Sequence, residues 1–186
     1  MEALTVRAMH PIKRCVALCA MVAALSCATL AQAEDAVNRE YPLLAAYVYN
    51  FTQFTSWPPP LTEEQFVLCI MGADPFGALL TPLRSKTVRG TGITLRYHKS
   101  VGKELSSCHL LFVSESEQSQ LKSIFSSLDH ASVLTLSNIE GFADAGGMVE
   151  FVKRGSKIGI NINIKAVEKS GLAISSKLLG LARIVE

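Results

Sequence analysis

The chain has 186 residues, with 18 Lys+Arg against 16 Asp+Glu and a formal charge of +2. That is one domain's worth of sequence, and at 49% hydrophobic and 18% charged residues it is too apolar for disorder by composition. The even charge balance excludes the basic footprint of a nucleic-acid binder.

A mean hydropathy of +0.29 is high for a soluble domain, and its source lies at the start of the chain. Arg7, Lys13 and Arg14 precede an uncharged run from Cys15 to Ala33 that closes on Ala31-Gln32-Ala33. A basic opening, an apolar middle and a small-residue end predict a secretory signal peptide over residues 1–33, cleaved before Glu34, with Met9 as an alternative start. Two rival readings remain: an uncleaved anchor, since about 20 apolar residues span a bilayer, and a lipoprotein signal at Cys27. The Ala-rich run suits the first poorly, and Ala24-Leu25-Ser26 suits the second poorly. Cleavage places residues 34–186 in the periplasm as a domain of 153 residues with 15 basic and 15 acidic side chains. Of the five cysteines only Cys69 and Cys108 stay with it. Two cysteines in an exported domain predict one disulfide, which by closing roughly 40 residues contributes about 4 kcal/mol in the loop-entropy model. Two buried free thiols are the alternative.

The periodicity of Leu44, Tyr47, Val48, Phe51 and Phe54 predicts a helix over Asn38–Ser56, with Pro42 in its first turn and Trp57-Pro58-Pro59-Pro60 ending it. Phe66–Met71 is a continuous apolar run suited to a strand buried on both faces. Asp74 and Pro75 then predict the start of a helix reaching about Arg84. Ile93–His98, with Ile93, Leu95 and Tyr97 on one face, and Cys108–Val113 read as strands. Ser114 or Ser116 caps a predicted helix to about Leu128, and Val133–Leu136 is a further strand. After the loop Gly141–Gly147, Gly146–Val152 and the alternating Ile158, Ile160, Ile162 and Ile164 predict a hairpin across Lys153-Arg154-Gly155-Ser156. Lys165–Ser170 reads as a helical turn and Ser175–Val185 as a helix, broken from it at Gly171. Helices between strands predict a single α/β domain with a mixed sheet of about five to six strands flanked by helices. The early strands are expected to be parallel and the last two antiparallel.

In chain order, Asn50-Phe51, Phe54, Trp57-Pro58, then Cys69, Gly72, Asp74-Pro75-Phe76-Gly77 and Cys108-His109-Leu110-Leu111-Phe112-Val113 form the first part of a signature. Gly146-Gly147-Met148-Val149, Phe151, Ile162-Asn163 and Gly171-Leu172 through Ile174-Ser175-Ser176 and Leu178-Leu179 to Leu181-Ala182-Arg183 complete it. Together they resemble the YfiR-like family of small exported bacterial proteins. The resemblance implies a periplasmic regulator, not an enzyme, that binds and represses the periplasmic sensor region of an inner-membrane diguanylate cyclase and so lowers cyclic di-GMP, with effects on biofilm. It also implies an outer-membrane lipoprotein as a second partner. The family's best-known member depends on disulfide formation and carries a second cysteine pair in its C-terminal half. No cysteine follows Cys108 here, so that second bridge has no counterpart.

The residues themselves suggest no catalytic centre, no cofactor and no metal site. No nucleophile-elbow motif occurs, Gly72-x-Asp74-x-x-Gly77 lacks the glycine spacing and lysine of a phosphate loop, and His98, His109 and His130 have no ligand spacing to either cysteine. His109, at the start of an apolar strand, is expected to be a hydrogen-bonded structural histidine. The bridge Cys69–Cys108 is readable as structural or as regulatory. Candidate partner- or ligand-binding residues are Trp57, expected to be partly exposed beside the prolines, and Glu150, Asn161 and Asn163, a polar patch at the hairpin. Lys177 and Arg183 complete the set on the outer side of the last helix, with Arg183 suited by its planar fork to a carboxylate. Each has a plain structural alternative, as core, solvated sheet face or helix terminus. A homodimer is compatible with all of this, and a small-ligand sensor feeding another membrane receptor or histidine kinase is the alternative function.

Overall fold

The computed structural model describes residues 40–58, 65–155 and 157–185. The predicted leader, its cleavage site and the first residues of the predicted Asn38–Ser56 helix lie outside the described residues.

Residues 40–54 form helix α1. Its spacing of three and four buries Leu44, Val48 and Phe51 completely, and each such burial is worth about 1.5–3 kcal/mol. The stripe stops short of Phe54, which is 39% exposed, because the chain leaves the helix there for a short strand, β1 (Thr55–Ser56).

The main sheet takes its strands in chain order as β2 (Gln65–Met71), β3 (Thr87–Val88), β4 (Thr91–His98), β5 (Leu110–Val113) and β6 (Leu134–Ser137). It continues with β7 (Val149–Arg154), β8 (Lys157–Asn163) and, after β9 (Ala173–Ile174), with β10 (Arg183–Val185). Strand β9 pairs with β1 in a separate two-stranded sheet. The spatial order of the large sheet is β10-β8-β7-β6-β5-β2-β4-β3. From β4 through β7 neighbouring strands are parallel, as expected, and β7 and β8 are the antiparallel hairpin.

Strand β2 explains why its run reads as unbroken apolar sequence. Phe66, Leu68 and Ile70 join one core with Leu44, Val48 and Phe51 of α1. Val67, Cys69 and Met71 point the other way into a second core, which takes Ile124 from helix α2 (Leu121–Ser127). A central parallel strand covered on both faces needs hydrophobic residues at every position.

Several elements differ from the sequence expectation. The sheet has eight strands rather than five or six, because two short edge strands were not legible as such. One is β3, which follows a 3-10 helix, Gly77–Ser85, where an α-helix from Pro75 was expected. Pro82 lies inside that segment and removes a donor that an α-helix needs. Asp74 still punctuates the turn, its carboxylate accepting the Phe76 N–H at 2.9 Å. The other edge is β10. In place of a helix over Ser175–Val185, helix α4 (Ser176–Leu179) stops at Gly180, and Arg183, Ile184 and Val185 pair with Asn161, Ile162 and Asn163 of β8. An open edge on β8 offers backbone partners that a β-branched pair such as Ile184-Val185 fits better than a helix does. The segment after β5 is likewise a 3-10 turn, Glu115–Gln120, leading into α2, and the predicted helical turn at 165–170 is helix α3 (Ile164–Lys169).

Candidate functional site

Strand β2 sits in the middle of the parallel set, with β4 on one side and β5 on the other. Such a reversal of strand order opens a crevice at the carboxyl ends of the two strands, the usual ligand position in this architecture. Here the chain fills that crevice itself. Gly72, which follows β2, has φ of +90°, and a Cβ there would lie 2.4 Å from Ser116 Oγ and 2.6 Å from the Glu117 side chain. The Ala73 N–H donates to Ser116 Oγ at 3.0 Å, and the Ser116 hydroxyl donates to Glu117 Oε1 at 2.9 Å. Glycine at 72 is therefore the residue that lets this loop close.

The open space lies further along the same end of the sheet, where β7 runs on past the end of β6. A cleft of about 460 Å³ is lined there by Glu115, Gln118, Asn138, Glu140, Glu150 and Lys153, among others. Asn138 donates to Glu115 Oε1 at 2.7 Å, and Lys153 Nζ meets Glu40 Oε2 at 2.8 Å. Hydrogen bonding to Glu40 raises the Lys153 ammonium above its ordinary 10.5. Burial raises the Tyr41 phenol above 10.0, with Glu115 and Glu40 adding to the rise and Asn138 and Lys153 opposing it. Three lining carboxylates, Glu115, Glu140 and Glu150, against one ammonium that is itself paired with Glu40 make this an acidic rim suited to polar or cationic groups. Its described lining holds no serine, cysteine or histidine, so no nucleophile–base pair is assembled in it.

The three polar residues expected at the hairpin do come together, but not as an open patch. Glu150 pairs with Asn161 across β7 and β8, and the alternation of β8 puts Asn163 on the same face. Glu150 is buried, 5% exposed, and its carboxylate accepts the N–H groups of Gly141 and Ala143, both at 3.2 Å. Asn163 donates to Ala143 O at 3.0 Å and its Oδ1 caps α3 by accepting the Ala166 N–H. Both fasten the loop at 139–147 onto the sheet. Asn161 Oδ1 is buried with no hydrogen-bond partner among the described residues.

Trp57 departs from its expected partial exposure. It is 5% exposed, its Nε1–H donates to His109 O at 3.1 Å, and its ring meets Phe66 edge-on at 5.0 Å. His109 is held as a structural histidine, its Nδ1 accepting the Val67 N–H at 3.0 Å. Lys177 and Arg183 are exposed, on α4 and β10 respectively rather than on one helix. Beside them stand Leu181, 75% exposed, and Ile184, 42% exposed, apolar side chains that the expected Ser175–Val185 helix did not single out.

Cys69 and Cys108 are joined in a disulfide with Cα atoms 6.0 Å apart. His98, which linear spacing separated from both cysteines, brings Nε2 to 3.9 Å from Cys108 Sγ. Only the parallel register of β2 and β4 brings it there. The cleft residues Glu115, Asn138 and Lys153 were also missed; their one sequence signal is that Asn138 directly follows the carboxyl end of an apolar strand, where α/β domains place ligands.

A family model described as YfiR/HmsC-like matches residues 41–183. No curated protein matches the chain. Among solved structures, a conserved domain protein from Vibrio cholerae O1 biovar El Tor strain N16961 aligns with a TM-score of 0.49 and 11% identity, over 65% of this chain and 55% of its own. The ABC domain in complex with L-Trp from Streptococcus pneumonia aligns with a TM-score of 0.50 and 12% identity, over 74% of this chain and 59% of its own. The chain thus spans less than two thirds of either structure, and at 12% identity the likeness to the second is one of fold alone.

Proposed function

The chain belongs to the YfiR/HmsC-like family, and from that premise we propose that it is a periplasmic regulator of diguanylate cyclase signalling that represses its target by direct contact. The family points to regulation rather than catalysis, and the match over residues 41–183 is the observation that carries the reading. The partner is the periplasmic sensor region of an inner-membrane cyclase, with an outer-membrane lipoprotein as a second binder that releases it. Binding lowers cyclic di-GMP to the extent that the regulator prefers the cyclase's inactive arrangement.

The contact surface is the C-terminal edge. Leu181 and Ile184 expose apolar area beside Lys177 and Arg183, and β10 is the last strand on its side of the sheet among the described residues. An apolar centre flanked by Arg is the composition of an interface hot spot. Of the residues singled out from sequence, Lys177 and Arg183 remain accessible for this role, whereas Trp57 and Glu150 are enclosed.

Removing the gene from a strain with a linked cyclase raises cyclic di-GMP and surface attachment; unchanged levels would overturn the proposal. In purified form, Arg183→Glu and Leu181→Glu each weaken binding to the cyclase sensor domain by more than about tenfold, with unchanged circular dichroism. The acidic cleft favours one other reading, a sensor that takes a small polar or cationic ligand and feeds a different receptor or histidine kinase. Saturable binding of a metabolite by calorimetry, lost in Glu115→Gln and without affinity for any cyclase sensor domain, would select it.

A further inference from the structure

The corner that holds the disulfide has the makings of a second, mutually exclusive state. Strands β2 and β4 run in register with Cys69 opposite Arg96 and Met71 opposite His98. Residues two apart on a strand share a face, so His98 lies on the same side of the sheet as Cys69. Cys108 reaches that side from the other flank of β2, just ahead of β5. The two sulfurs and a ring nitrogen of His98 all lie within 4.8 Å of one another, and His98 Nε2 is 3.9 Å from Cys108 Sγ. Zinc bonds of about 2.3 Å to sulfur and 2.0 Å to nitrogen set tetrahedral ligand–ligand spans of about 3.5–3.8 Å. The three atoms already stand near that spacing.

We propose that reduction of the Cys69–Cys108 bond turns this corner into a zinc site, with Cys69 Sγ, Cys108 Sγ and His98 Nε2 as its protein ligands. The backbone that presents them does not depend on the disulfide. His98 O accepts the Gly72 N–H at 2.9 Å, Cys69 lies mid-strand in a parallel sheet, and the Cys108 N–H donates to Leu105 O at 3.2 Å. Both cysteines are buried, 0% and 4% exposed, whereas His98 is half-buried. The metal therefore enters from the histidine side and keeps its fourth position for water, as sites with three protein ligands do.

The chemistry needs a dithiol reductant. It supplies two electrons and two protons: the S–S bond breaks, two cysteine thiols form, and the reductant leaves as its own disulfide. Zinc then displaces one proton from each thiol and takes the lone pair of a neutral His98 Nε2, releasing two protons in all. In residues 34–186 the oxidised form has no thiolate to offer, since Cys69 and Cys108 are their only cysteines, so bridge and metal exclude each other. This site stands apart from the cyclase reading, and its test involves no partner.

The exported form, residues 34–186, whose only cysteines are Cys69 and Cys108, is purified with its bridge, reduced with dithiothreitol, freed of reductant without air, and titrated with Zn²⁺ alone by calorimetry. Co²⁺ serves as a spectroscopic substitute. The reduced chain binds one Zn²⁺, and Co²⁺ gives thiolate charge-transfer absorption with the visible bands of a tetrahedral site; the oxidised chain does neither. His98→Ala, which keeps its disulfide and so its oxidised fold, loses more affinity after reduction than the roughly 10- to 100-fold that follows loss of an outer-shell partner. Equal binding by oxidised and reduced chain, or by His98→Ala and the natural chain, overturns the proposal. So does a reduced chain that unfolds, by circular dichroism, and is not refolded by Zn²⁺.

Discussion

At the scale of single residues, the polar side chains near the hairpin act on the chain's own backbone. Glu150 is the clearest instance, since its buried carboxylate receives two amide N–H groups of the loop it underlies. Charged acceptors make hydrogen bonds worth about 1.5–3 kcal/mol, and a buried donor left without one costs its full desolvation. Glu150→Ala is therefore expected to lower stability by about 3 kcal/mol, read as a shifted urea midpoint, with Glu150→Gln retaining part of it. A loss under about 0.5 kcal/mol would mean the loop holds without this anchor. From sequence, Glu150 and Asn163 read as a polar patch at the hairpin, a binding surface or a solvated sheet face. Their roles depend on a loop that folds back from seven to 20 residues away, which no local pattern announces.

At the scale of elements, the C-terminal segment was the hardest to read. Ile174, Leu178, Leu181 and Val185 repeat at helical spacing, yet the helix lasts only from Ser176 to Leu179. The outer edge of β8 decides the matter, because pairing with it satisfies backbone groups that a helix end would leave to water. Ending the chain after Gly180 removes β10 and exposes that edge, and exposed strands recruit other chains. The truncated protein is expected to self-associate, detected as a shift to larger species by gel filtration with light scattering. A monomer of unchanged stability would show that β10 is dispensable to the sheet. The strands with unbroken apolar runs, β2 and β5, were by contrast legible at once, as burial on two faces leaves no room for polar residues.

At the scale of the whole molecule, the helices of the two cores enclose a sheet whose charged groups lie at its ends and edges. Among the described residues, three groups titrate above their ordinary values: Tyr41 and Tyr97, both chiefly by burial, and Lys153, chiefly through Glu40. In each the folded state holds its proton more tightly than the unfolded chain. Stability is then fully present below about pH 10 and falls as pH rises through the folded-state values. Tyr97 is 48% exposed and so weighs less than Tyr41. Urea midpoints are expected to stay level from neutral pH to about pH 9 and to drop beyond pH 10, with a shallower drop in Tyr41→Phe. A midpoint that rises with alkali would contradict the sign.

Composition and pattern alone determined the α/β class, the parallel set of early strands, the antiparallel hairpin and the expectation of a single Cys69–Cys108 bridge. Each follows from local chemistry: two-sided burial, a period of two, and a cysteine count. The ordered motifs likewise carried the family, which the match over residues 41–183 bears out. Tertiary structure alone decided what lies beside what. It closed the switch-point crevice with Ser116, opened a cleft at Asn138, enclosed Trp57, turned a predicted helix into an edge strand and brought His98 to Cys108. Those outcomes rest on strand register and on edges in need of partners, which are properties of segments distant in the chain.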